Sequence, residues 1–237
     1  ALGSTGRDIS FDLKRIEGYR NFCNKLWNAS RFVYMTTNDY NYEDKIKFDN
    51  LTTYEKFIII KLDDLVTEYK KHCTSYRFDL MANSLYSFIW NEYCDWFVEI
   101  SKVEIDNKNE YTKNVLIYTL QIILKLCHPI IPYITEEIWN EMNSLGYTND
   151  QILMNAKFPS QQKIFKDKAI DAEVSLLKEF INKIRKTRSD LNIHPKIKID
   201  IYCFSKDVLI KSFLDNNNSI ICSLLKVQNI FINRDSF

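Results

Sequence analysis

Apolar and polar positions alternate along this chain with the period of a helix over most of its length. Within Lys14–Met35, at about 100° per residue, Ile16, Tyr19, Cys23, Leu26, Trp27 and Val33 gather on one side, which predicts a core face. Thr52-x-x-Glu55 has the form of a capping box and opens a second predicted helix to about Cys73, with Phe57, Ile58, Leu62, Leu65, Val66 and Tyr69 inside. A third, unusually aromatic helix is predicted over Phe78–Ser101, with Leu85, Ile89, Tyr93, Trp96 and Ile100 on one face. Tyr111–Cys127 reads as a fourth, ended by His128-Pro129 because a residue before proline disfavours the helical region. A fifth follows Pro132 and stops at Gly146. Long helices joined by short loops describe an antiparallel bundle.

Beyond it the pattern changes. Ile152–Pro159 is short and extended, and Asp171 to about Asp190 is helical with Val174, Leu177, Ile181 and Ile184 inside. Ile197–Phe204 alternates as a strand, Val208–Leu225 is helical with an asparagine break at Asn216–Asn218, and Ile230–Ile232 is a second strand. The predicted fold class is therefore mainly α: a helix bundle followed by a small α/β subdomain starting near Asn155.

The polar side of the first helix departs from ordinary amphipathicity. Lys14, Asn21, Lys25, Asn28 and Phe32 share it, with Lys14 and Phe32 five turns and about 27 Å apart. A ring, ammonium groups and amides suit a single-stranded nucleic acid, as base platform, phosphate contacts and base-edge contacts. Burial of Phe32 under a neighbouring helix, or its being one scattered surface apolar residue of the ordinary kind, is the other reading, and periodicity leaves both open. On the third helix Glu92, Asp95 and Glu99 form an acidic row with no nucleophile or metal ligand beside it, which reads as a solvated face, as partners for lysines of a neighbouring helix, or as an acceptor for a base amino group. The cluster Lys183, Arg185, Lys186 and Arg188 ends its helix, where cations suit the dipole and where a phosphate contact is also open.

Net charge over the 237 residues is +1, so nucleic-acid binding requires a local patch. Four glycines and four prolines favour long helices. The six cysteines form no C-x-x-C pair, so neither a metal site nor a disulfide framework is expected, and without a signal peptide or long apolar run the chain reads as cytoplasmic. No Walker loop, G-x-G-x-x-G, H-E-x-x-H, G-x-S-x-G or kinase signature is present. The sequence begins without methionine and reads as a piece of a longer protein.

Several stretches together resemble the bacterial valyl-tRNA synthetases: GRDISFDLKRIEGYRNFCNKLWNASRFV, LYSFIWNEYCDWFVEISK, LCHPIIPYITEEIW, Phe158-Pro159 and IRKTRSDLNIHPK. The NKLWNASRF and WNEYCDWFVE blocks favour that family over the isoleucyl and leucyl relatives. The resemblance implies a class Ia aminoacyl-tRNA synthetase anticodon-binding bundle over 14–154, preceded by a remnant of the stem-contact region at 1–13 and followed by the α/β subdomain at 155–237. The family's His-Ile-Gly-His and Lys-Met-Ser-Lys-Ser motifs are absent, so the resemblance implies no catalytic residue here. It implies that the full-length enzyme uses ATP and Mg²⁺ to join valine to tRNA(Val), while this stretch, a monomer beside the catalytic domain of the same polypeptide and with no cofactor, binds the anticodon stem-loop. By motif position the implied contacts are Lys14, Lys25, Arg31, Phe32, Val98 and Glu99. The alternatives are a helical protein-interaction module, or the anticodon-binding domain of an isoleucyl or leucyl enzyme.

Overall fold

The computed structural model describes residues 13–162, 167–194 and 196–233. The stem-contact remnant expected at 1–13 falls, apart from Leu13, outside them. Compactness groups 13–101 with 108–162 in one unit and 102–107 with 167–233 in another, a division near residue 166 where the sequence reading drew it at 155.

In the first unit α1 runs Leu13–Thr37, α2 Thr53–Thr74, α3 Phe78–Ser87, α5 Tyr111–Cys127 and α6 Pro132–Ser144. From α3 the chain continues without a break through a π-helical segment, Phe88–Phe97, into α4, Val98–Asp106. The capping box forms as expected: Thr52 N–H donates to Glu55 at 2.8 Å, and the Thr52 hydroxyl accepts from Glu55 N–H. Glu55 is 1% exposed and also accepts from the Thr112 hydroxyl at 2.6 Å, so one carboxylate ties the starts of α2 and α5 together. The most enclosed helix is α5, where Leu116, Ile117, Leu120, Ile123 and Leu124 are all inaccessible, as in a helix that is apolar nearly all round. It ends at Cys127, but His128 keeps helical angles (φ −53°, ψ −42°) and donates to Leu124. The stop therefore comes from the missing N–H of Pro129 and not from a displaced His128. At the end of α6, Gly146 takes φ +75°, with Gly146 N–H on Asn143 O and Tyr147 N–H on Met142 O, the 5→2 and 6→1 pair of a Schellman stop.

The core face of α1 requires correction. Leu26, Ala29, Ser30, Val33 and Thr37 are its buried positions, at spacings of three and four, whereas Trp27 is 38% exposed, Tyr19 43% and Ile16 46%. The buried Ser30 and Thr37 hydroxyls are satisfied by the carbonyls of Trp27 and Val33. Trp27 lies one step round from Leu26, at the rim of this stripe.

In the second unit α7 spans Lys168–Asp190, its N-terminus capped by the Asp167 carboxylate accepting from Ala169 N–H. Val174, Leu177, Ile181 and Arg188 are its buried positions. Strands β1 (Ile199–Phe204) and β2 (Val227–Asn233) pair in parallel, joined by α8 (Val208–Asn216) and α9 (Asn218–Leu225). The helical break falls at Asn217, within the asparagine run. Among the described residues no helix is long and apolar enough to cross a membrane, and no group of three or more His, Cys, Asp or Glu could hold a metal ion.

Candidate nucleic-acid interface

The interface is built where α1 meets the π segment. The Phe22 and Tyr86 rings stack at 5.1 Å, and Tyr86 stacks on Trp90 at 5.6 Å with planes 10° apart. Lys25 Nζ sits 3.8 Å above the Trp90 ring and pairs with the Asp95 carboxylate. Contacts thus advance from 22/86 to 25/90 and 25/95, so α1 and the α3–π rod run the same way, as first and third helices of an up-down-up bundle must.

The π segment explains what the rod buries. Hydrogen bonding from i to i+5 brings residues five apart onto one face. Phe88 and Tyr93, Ile89 and Cys94, and Tyr93 and Val98 are such pairs, and all are buried. Burial pushes the Cys94 thiol up to about 12 and the Tyr93 hydroxyl well above its ordinary value, so both are neutral structural groups at physiological pH.

Lys14, in the first turn of α1, and Arg31 are exposed, while Phe32 and Glu99 are half-buried. The Lys25 side chain is 23% exposed, held against Trp90 and Asp95. Asp95 therefore answers a lysine of the neighbouring helix, one of the roles open to the acidic row. Val98 is 5% exposed, one of the buried positions of the rod.

Two stripes border the solvent side of α1. Asn21, Lys25, Asn28 and Phe32 form one, and Arg20, Asn24, Trp27 and Arg31 the other, each at i, i+4, i+7 and i+11. The polar face is thus railed by an aromatic on each side. Trp27 is the candidate that the sequence reading missed, because its size assigned it to the core. The i+4 spacing to Arg31 was the available signal. Such a face offers stacking surfaces, guanidinium and ammonium donors and amides, and among the described residues it holds no nucleophile–base pair.

Residues 55–203 match the family described as the anticodon-binding domain of tRNA ligase. The valine–tRNA ligase of Buchnera aphidicola subsp. Schizaphis graminum is 39% identical over 236 residues, covering 98% of this chain and 25% of the relative. Those of Legionella pneumophila (strain Paris) and Francisella tularensis subsp. tularensis are each 38% identical, over 97% and 98% of this chain and 26% of each relative. The chain spans about a quarter of the length of the curated relatives it matches. These alignments include α1, which precedes the family match.

Proposed function

This chain belongs to the family of anticodon-binding domains of tRNA ligases, and from that membership we propose that it grips the anticodon loop of tRNA(Val). Phe32 stacks on an unpaired base, Arg31 and Lys14 meet phosphates or base edges, and Glu99 accepts from an exocyclic amine. Lys25, anchored by Trp90 and Asp95, presents the ammonium edge of the seam. Trp27 supplies a second stacking surface. The whole protein joins valine to tRNA(Val) with ATP and Mg²⁺ in the cytoplasm, the catalytic step lying in another domain of the same polypeptide, and this part acts as a monomer. The observation that carries the reading is the solvent face of α1, where Asn24, Asn28 and Arg31 lie between two accessible aromatics on a chain of net charge +1. The test is a titration of the 237-residue chain with tRNA(Val) and with the same tRNA mutated in its anticodon. Tighter binding of the unmutated tRNA is expected. Equal binding of both would sink the reading and favour a protein-docking face.

A further inference from the structure

The second unit holds a cleft of about 510 Å³ between the end of α7, the turn after it and the α9–β2 junction. Three cations line it, Arg185, Arg188 and Lys226, and no carboxylate does among the described residues. Arg188 is its unusual member, because it is only 7% exposed. One terminal nitrogen donates to Leu225 O at 2.7 Å, and the other to His194 O at 3.4 Å and to Ile197 O. All three acceptors are neutral carbonyls, and Arg188 Nε is buried without a hydrogen-bond partner among the described residues.

A guanidinium that only stitched α7 to its neighbours would leave a buried charge facing neutral carbonyls alone and its buried Nε–H without an acceptor, both costly. An anion in the cleft that Arg188 lines supplies the missing counter-charge. Arg185 lies one turn before Arg188 on α7, and Lys226 directly follows the residue whose carbonyl Arg188 holds. Lys226 ends α9 with φ 52°, the left-handed conformation usually given to glycine, so a lysine stands where the backbone disfavours one. The cleft also has an apolar side, Ile193 and Leu224, and a volume in the range of small-molecule sites, well beyond what inorganic phosphate fills.

We propose that this cleft is a second RNA contact that takes one nucleotide unit, its phosphodiester against Arg188, Arg185 and Lys226 and its sugar and base over Ile193 and Leu224. The choice of RNA over another phosphate source rests on the anticodon-binding reading, whereas the anion specificity rests on the cleft alone.

The test follows the Arg188 Nε–H resonance of the ¹⁵N-labelled 237-residue chain during titration with inorganic phosphate and, separately, with tRNA(Val). Lys226→Gly is the companion variant, since glycine suits φ 52° and removes the cation while the fold keeps or gains stability. The resonance is expected to move with both probes, and Lys226→Gly is expected to weaken tRNA binding about 3- to 10-fold and to lower the log–log salt slope by about 0.7–0.9. A shift with phosphate but none with tRNA overturns the RNA assignment and leaves an anion site for another ligand. No shift with either probe, or unchanged tRNA affinity in Lys226→Gly, makes Arg188 a structural stitch and ends the proposal. Failure of the anticodon reading looks different: binding then ignores the anticodon sequence, yet Lys226→Gly still weakens it.

Discussion

Replacing the two aromatic rails of α1 separates a recognition surface from a packing surface. Trp27 is 38% exposed, so about three-fifths of a surface of roughly 150–250 Å² is covered, or about 90–155 Å². At about 25 cal/mol per Å² that is ~2–4 kcal/mol, an upper estimate because the unfolded chain hides part of the same surface. Alanine keeps Cβ, and a rim site opens to water and leaves no closed void, so Trp27→Ala is expected to cost about 1–2 kcal/mol. Leu26, its neighbour at 0% exposure, is the reference: Leu26→Ala leaves a cavity and is expected to cost ~2–5 kcal/mol. Phe32→Ala, at a half-buried rim, belongs with Trp27 at about 1–2 kcal/mol. For binding the order reverses. Loss of a stacked base costs ~1–3 kcal/mol, about 5- to 150-fold in Kd for the anticodon stem-loop, in Phe32→Ala and Trp27→Ala, while folded Leu26→Ala binds as the parent does. Thermal denaturation and fluorescence titration of the three variants measure both quantities. If Phe32→Ala unfolds as readily as Leu26→Ala while its folded fraction binds RNA unchanged, Phe32 is a core residue and the stacking assignment is refuted.

Salt titrations of tRNA binding should show Arg31→Ala flattening the log–log slope by about 0.7–0.9, and Lys25→Ala flattening it less, because Asp95 already shares the Lys25 charge. Glu55→Ala removes the carboxylate half of the α2 capping box, leaving Thr52 N–H without its acceptor, and strands the buried Thr112 hydroxyl, and is expected to cost ~2–4 kcal/mol in urea denaturation, more than Thr52→Ala at ~1 kcal/mol. The Arg77 guanidinium, on Asp79 at 2.8 and 2.9 Å, lowers that carboxyl to about 2. A depressed folded pKa gives stability that is present above the unfolded value of about 3.9 and lost as pH falls through about 2, so acid unfolding should begin at higher pH in Arg77→Ala. Iodoacetamide at pH 8 should label exposed Cys73 first and reach Cys94 and Cys127, both raised to about 12 by burial, only on unfolding, as mass spectrometry of the digests would show.

Most of the architecture was legible because it follows from local chemistry. The Thr52–Glu55 box, the Gly146 stop, the asparagine break and the alternation of β1 each depend on a few neighbouring residues whose energetic preferences are large. What stayed hidden depends on tertiary context. Side-chain size put Trp27 at one edge of the predicted α1 stripe, but the buried set centres on Leu26, Ala29, Ser30 and Val33, and no local rule reports that small residues take the middle of a buried face. On the third helix the 100° period puts residues five apart about 140° from each other, so Phe88, Cys94 and Val98 fall off the predicted face. The change to i→i+5 bonding merges them with Ile89 and Tyr93. The candidate site divides the same way. Residue types and spacing picked out Lys14, Lys25 and Phe32, and the family resemblance added Arg31, but the burial of Val98 and the Lys25–Asp95 pair appear only when α1 and the rod come together.

That pairing bears on how a chain of net charge +1 can hold a polyanion. Near neutrality the long-range field is too small to collect RNA, so attraction depends on where individual cations stand and whether carboxylates already satisfy them. At the seam, Asp95 neutralises Lys25 and Trp90 carries its ammonium, which spends its charge on orientation. The exposed charge of the α1 face then falls to Lys14 in the first turn and to Arg20 and Arg31, the two arginines lying on the Trp27 stripe, on the other side of that face from the π segment and its acidic row. A guanidinium beside an indole suits a phosphate next to an unstacked base, and the buried rows of the π segment, five residues apart, hold the opposite border of that face in place. Such a surface gains more from stacking and geometry than from charge. Its affinity should therefore depend on the unpaired bases of a loop more than on the length of duplex attached to it: an anticodon stem-loop with its stem shortened should keep most of the binding, and the same stem closed by an unrelated loop should lose it.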